Sequence, residues 1–257
     1  MMYNITKDKK LKGDPIYLED LKVSIHQPNL GEIIDFGEAR FFNAMGLLFS
    51  EEKFIRDRLM EIAEMNESHG FKEYLQNATF YELLILALAT ESKQVKDTFF
   101  GFLELMIKDC KIVSKDNENY DVTVKKKGYQ ITNELIIEIR NICQELFNWN
   151  KLMDEAISEF NPGNKLAEKI MEKIQKARDR KAKISGDPQK TSSLIYSYIS
   201  ILSVAMNQVD IDPFMKITFF RLLDLMNRFI AKTQSDQEVA AATAGAKVEI
   251  TGWFQDV

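Results

Sequence analysis

At 257 residues, with 45% hydrophobic and 28% charged side chains, the chain has the composition of a globular protein that can bury a sizeable core, which excludes a disordered polymer. Five Pro and 11 Gly are too few for a loop-rich or many-turned all-β design. A net charge of −5 offers no global attraction to nucleic acid or anionic lipid, and two cysteines, Cys110 and Cys143, do not make a disulfide framework.

In chain order, residues 1–14 are polar and charged and read as a flexible N-terminal arm; no apolar run follows the charges, so a signal peptide is not expected. Pro15–Leu18 and Leu21–His26 are short extended candidates. In the second, Leu21, Val23 and Ile25 alternate with Lys22, Ser24 and His26, the period of a half-buried strand. From Asn29 the period turns helical: Ile33, Phe36, Gly37, Arg40 and Phe41, then Met45, Leu48 and Phe49, follow three- and four-residue steps. Phe54, Ile55, Leu59, Ile62 and Ala63 form the apolar side of the next helix, which His69-Gly70 should end.

Thr79 and Glu82 have the spacing of a capping box, opening a helix that is apolar nearly all round and therefore belongs in the core. Its run from Leu83 to Ala89 is far short of the roughly 20 residues that cross a bilayer. Ser92–Lys108 is a further helix, with Val95, Phe99, Phe102, Leu103 and Met106 on one stripe. Lys111–Val113 and Asp121–Val124 flank a polar turn and predict a β-hairpin. Leu135, Ile139, Ile142 and Leu146 then mark a helix, seconded by Ile136, Cys143 and Phe147. Both cysteines lie in apolar stretches and read as small core residues.

Asn161-Pro162-Gly163 is the best candidate boundary, since Pro suits the first position of a helix. The helix expected from Pro162 to Ile184 is highly charged. Leu194–Met206 is an apolar helix and Thr218–Lys232 another. Ser235 and Glu238 repeat the capping-box spacing and open a short Ala-rich helix that Gly245 ends. The expected fold class is mainly α: a multi-helix globular protein with a small β-hairpin or strand element and a C-terminal helical tail. The expected units are the arm (1–14), an α-rich domain with the β element (15–160), a helical domain (161–233) and the tail (234–257).

The chain offers little for catalysis. Glu32, Asp35 and Glu38 recur every three residues and are expected to be solvated rather than an acid/base pair. His26 and His69 are the only histidines, with no partner at metal-ligand spacing, so neither a metal nor another cofactor is expected. Lys165, Lys169, Lys173, Lys176 and Arg180 form one ridge of the charged helix, with Leu166, Ile170, Ile174 and Ala177 on another. Such a helix can bind nucleic acid, a membrane or an acidic partner. The acidic chain and the lack of interleaved aromatics favour a solvated face. Asp224 and Arg228, with Arg221 and Lys232 nearby, read either as a surface ion pair or as the polar rim of a docking groove. Trp253 and Phe254 close a stretch poor in large side chains; they either fold back on the domain or anchor a partner.

Taken in order, these strings resemble tail assembly chaperones of phages and prophages of Gram-positive bacteria. The similarity runs through Leu21–Glu38, the start Ile131–Glu134, the Asn161–Lys183 region, the helix carrying Thr218, Arg221, Asp224, Arg228 and Phe229, and the ending Ala244–Lys247 with Trp253. Gln234–Thr243 departs from it, lacking the basic and aromatic residues the resemblance leads one to expect. The resemblance implies a non-enzymatic protein of the host cytoplasm, absent from the mature virion. It would bind the long tape measure protein, keep it soluble and help recruit tail tube protein. It also implies that Arg221, Asp224, Arg228, Phe229, Lys247, Trp253 and Phe254 contact the partner, and it allows a homo-oligomer and a longer frameshifted product. The alternatives are a structural tail or connector protein and, less favoured, a nucleic-acid-binding accessory protein using the basic ridge.

Overall fold

The computed structural model describes residues 5–65, 69–107, 110–114, 120–124, 127–147 and 193–248. The expected boundary at Asn161–Gly163 and the helix from Pro162 to Ile184, with its basic ridge, lie outside these residues, as do Trp253 and Phe254.

The fold is mainly helical with small antiparallel sheets, as the sequence pattern predicts. Ile5 is buried and leads into the helix α1 (Lys7–Lys12), so residues 5–14 are docked rather than the loose arm expected there. β1 (Ile16–Leu18) and β2 (Val23–Ile25) pair antiparallel, Ile16 opposite Ile25. Val23 and Ile25 face the core, as their alternation predicts. The β2 end is tied to the rest of the core: His26 N donates to Met106 O over 2.6 Å.

Asn29 caps α2 (Leu30–Phe36). Its side chain accepts from Glu32 N at 2.9 Å, while Glu32 Oε2 accepts from Asn29 N at 2.9 Å, a capping box. The helical period continues past Phe36, yet the backbone breaks at Gly37, whose φ of 101° lies outside helical space. α3 (Glu38–Leu48) starts afresh and buries Phe41, Ala44, Met45 and Leu48. α4 (Glu52–Met65) follows. His69-Gly70 does not simply end a helix but begins another, α5 (His69–Asn77). Arg56 of α4 donates to the carbonyl oxygens of Leu75 and Ala78, satisfying two backbone acceptors where α5 ends.

α6 (Phe80–Thr90) opens on the predicted capping box: Glu82 Oε2 accepts from Thr79 N at 2.7 Å, and Thr79 Oγ1 accepts from Glu82 N at 3.4 Å. It is the core helix its composition implies, burying Phe80, Leu83, Leu84, Ile85 and Leu88 against α4, α7 and α8. α7 (Lys93–Met106) carries its predicted stripe inward, with Val95 half-buried at the edge. The β interruption is larger than the hairpin expected: β3 (Cys110–Ser114) and β4 (Tyr120–Val124) pair with Cys110 opposite Val124, and β5 (Lys127–Gln130) adds a third strand beside β4. α8 (Asn133–Phe147) buries its whole predicted stripe.

α9 (Leu194–Ala205), the short α10 (Asp212–Met215) and α11 (Phe219–Thr243) complete the described chain. α11 is one helix of 25 residues. The predicted break near Gln234 is absent, and Ser235 is buried mid-helix instead of capping a new one. Ser, Asp and Gln are tolerated inside a helix when the flanking residues are good formers; here Ala231 precedes them and Ala240, Ala241 and Ala242 follow.

One aromatic nucleus joins helices from both sides of the boundary expected near residue 160. Phe41 sits edge-on to Phe102 at 5.3 Å and to Phe147 at 5.4 Å; Phe219 lies 5.6 Å from Phe42 and 5.9 Å from Phe147. α3, α7, α8 and the start of α11 therefore share a core, and the described parts of the 15–160 and 161–233 units pack together. Cys143 is fully buried in this core and Cys110 half-buried, and burial pushes the Cys143 thiol well above its ordinary range.

Candidate protein-interaction surface

The residues that the sequence singles out on α11 are positioned by the turn before it. Thr218 is the N-cap: its Oγ1 accepts from Arg221 N at 3.2 Å and donates to Lys10 O at 3.3 Å. Leu30 N donates to Ile217 O at 2.9 Å, so the starts of α2 and α11 are held together. Gly13 closes α1 in the left-handed region, φ 75°. A Cβ there would lie 2.8 Å from Thr218 Cγ2, so both the backbone angle and the close approach require glycine.

From that anchor α1 lies along α11. Asp224 takes Arg228 Nε at 2.8 Å and Lys7 Nζ at 3.7 Å, with only 11% of its side chain exposed. Lys10 reaches Glu145 of α8 at 2.6 Å and sits 5.5 Å from the Phe220 ring centroid. Gln27, nearly buried, donates to Lys9 O and Asp14 O. The predicted Asp224–Arg228 pair is thus part of an intramolecular clasp that holds α1 against α8 and α11. A mostly buried carboxylate with two cations is more than an exposed i,i+4 pair.

The other named residues fall in different settings. Phe229 packs against the core, Arg221 is exposed beside the N-cap, and Lys247 is exposed just beyond Gly245. Beyond Ser235, α11 buries no residue, and Val239 is exposed. The structure therefore splits the set: Asp224, Arg228 and Phe229 serve the packing of α11, while Arg221 and Lys247 face solvent.

The three acids expected to be solvated are used differently. Only Asp35 is exposed. Glu32 completes the α2 capping box, and its Oε2 also lies 2.8 Å from His26 Nε2, an acidic neighbour for that histidine that residue spacing does not suggest. Among the described residues no three His, Cys, Asp or Glu side chains are grouped to hold a metal. Glu38 caps α9 from a distant part of the chain: its Oε1 accepts from Leu194 N at 2.7 Å and Ile195 N at 3.3 Å, and Ser193 Oγ donates to Oε2. Sequence reasoning missed this cap because nothing local at Glu38 points to residue 193.

An open groove of about 320 Å³ between α5 and α6 is lined by Gly70, Glu73, Tyr74, Asn77, Ala78 and Glu82. Glu82 is already committed to Thr79, whose backbone N–H and then hydroxyl hold its carboxyl below the usual range. No helix among the described residues is long and apolar enough to cross a membrane.

No protein-family model, no curated protein and no solved structure matches this chain significantly.

Proposed function

We propose that this protein is a tail assembly chaperone that acts by stoichiometric binding: it covers the helix-rich tape measure protein, keeps it soluble in the host cytoplasm and promotes addition of tail tube protein. Support comes first from the order of strings along the chain, ending in Ala244–Lys247 and Trp253. The observation that carries the reading structurally is α11. Its first half is held in the common core by Phe219, Leu222 and Met226, while from Asp236 to its end at Thr243 it buries no residue and most of its side chains are exposed. A helix rooted in a core and open at its far end can present the segment beyond it to a long helical partner.

Co-expression with the tape measure protein tests this. The expected result is a soluble complex of fixed stoichiometry. An insoluble tape measure with no co-purification overturns the proposal. Removing residues 244–257, with the cut placed after the helix, should leave thermal unfolding unchanged and abolish the complex. A lowered melting temperature would assign Trp253 and Phe254 to the core instead. Finding the chain at fixed copy number in purified particles would favour a structural tail protein.

A further inference from the structure

A second surface stands apart from that one. α9 reads LIYSYISILSVA and contains no charged residue. Apart from Ser197, Ser200 and Ser203 and its tyrosine hydroxyls it is apolar, and a helix of that kind is normally buried over most of its surface. Here Ile195, Ile199 and Leu202 face inward toward α11, but Ile201 is 43% and Val204 78% exposed on the other side. The exposure continues past the helix: Met206 is 57% and Val209 98% exposed, in a turn set by Asn207 at φ 51°. A near-continuous apolar strip outside the core is the usual mark of an interaction site.

The charges around the strip choose its occupant. Between Thr191 and Met215 the only charged side chains are Asp210 and Asp212, and both are exposed at the strip's end. Asp210 Oδ1 accepts from Asp212 N at 3.0 Å, which fixes the turn that presents them. Lys216, just past Met215, is exposed too, but the two aspartates outweigh it at this end of the strip, and an apolar face with a net acidic rim is complementary to an apolar stripe with basic flanks.

We propose that the outer face of α9 and the turn through Ile211 form a docking surface for an amphipathic partner helix with an apolar stripe and lysine or arginine flanks. The proposal rests on the chaperone reading only for the identity of the natural partner. Ile201, Val204, Met206 and Val209 take the apolar stripe, and Asp210 and Asp212 pair with the flanking cations.

The test uses the full chain and two synthetic amphipathic helices with the same leucine stripe, one with lysine flanks and one with glutamate flanks, followed by fluorescence anisotropy. The lysine peptide is expected to bind about tenfold more tightly at low salt, with the preference shrinking as salt rises. Val204→Asp with Val209→Asp should abolish binding without changing thermal unfolding. General attraction between an acidic chain and a basic peptide would instead be strengthened by those added charges, so a loss is diagnostic. Asp210→Asn with Asp212→Asn, which keeps the turn's acceptor, should erase the preference for lysine flanks while retaining binding. Equal affinity of the two peptides overturns the proposal, as does binding indifferent to Val204→Asp with Val209→Asp. Self-association of the chain that Val204→Asp disperses would assign the face to a second copy. A large drop in stability of that variant would assign it to the chain's own fold. A soluble tape measure complex without peptide binding would remove this surface and leave the chaperone proposal standing.

Discussion

α6 and α9 are nearly matched in the sequence and opposite in the structure. FYELLILALAT and LIYSYISILSVA are of similar length, and one carboxylate between them is the only charge. α6 lies inside, where α4, α7 and α8 cover it and only Ala89 and Thr90 are exposed. α9 is covered on one side only, and Tyr196, Ile201 and Val204 reach solvent. Hydrophobicity alone therefore says that a helix needs cover, without saying whether the cover comes from its own chain. The difference lies in how many neighbours the fold brings to each helix.

The largest effect that sharpens this contrast is a cavity in α6. Leu84 is almost wholly buried, so Leu84→Ala should cost about 2–5 kcal/mol in chemical denaturation, the range for truncating a buried leucine. Next comes Glu38→Ala. It strips the carboxylate from Leu194 N and Ile195 N and should cost about 1–2 kcal/mol, a typical loss for a helix cap. Its signature is early loss of hydrogen-exchange protection in α9 relative to α6. If both helices lost protection together, α9 would be as firmly held as the core, and the contrast would fail.

Thr79→Ala is the matching change at the start of α6, and a loss of about 1 kcal/mol is expected because the backbone arm of the box survives. Its sign with pH follows from Glu82. The folded-state carboxyl is held below its ordinary range by the Thr79 backbone N–H first and the hydroxyl second. The box therefore contributes fully above the ordinary carboxylate range and is lost as pH falls through the folded value. A thermal-stability profile in acid should fall less steeply for Thr79→Ala than for the native chain.

These two caps also show what the sequence could and could not disclose. Thr79 and Glu82 are three residues apart, so local spacing carries the whole signal, and the same logic finds the stripes of α7 and α8. Glu38 and Ser193 are 155 residues apart and meet only because α3 and α9 are brought together by the fold. The clasp of Lys7 and Lys10 on α11 and α8 is illegible for the same reason: short basic stretches look like solvated arms until a carboxylate from a remote helix is placed beside them. β5 was hidden by its composition, Lys, Gly, Tyr and Gln, which has no alternation to read. Conversely, the capping-box spacing at Ser235 and Glu238 is present but unused, because a helix already propagating from Thr218 gains more by continuing than by restarting. Of the residues named for partner contact, the sequence could not separate those that hold α11 in place from those that face outward. That distinction depends on which side of the helix the core occupies.

The smallest expected effect bears most directly on α9. Val204 is 78% exposed, so Val204→Asp removes little buried apolar area and leaves no buried charge behind. Its effect on unfolding should stay within about 0.5 kcal/mol, the range for ordinary surface changes. The inward-facing neighbour provides the internal standard: Leu202→Asp would place a carboxylate against α11 without a partner and should be severely destabilising. Two substitutions of the same kind, two residues apart, thus separate the two sides of one helix. If both proved harmful, α9 would be covered on all sides in solution as α6 is. If only Leu202→Asp is harmful, the outer face is a surface that the folded chain leaves for something else.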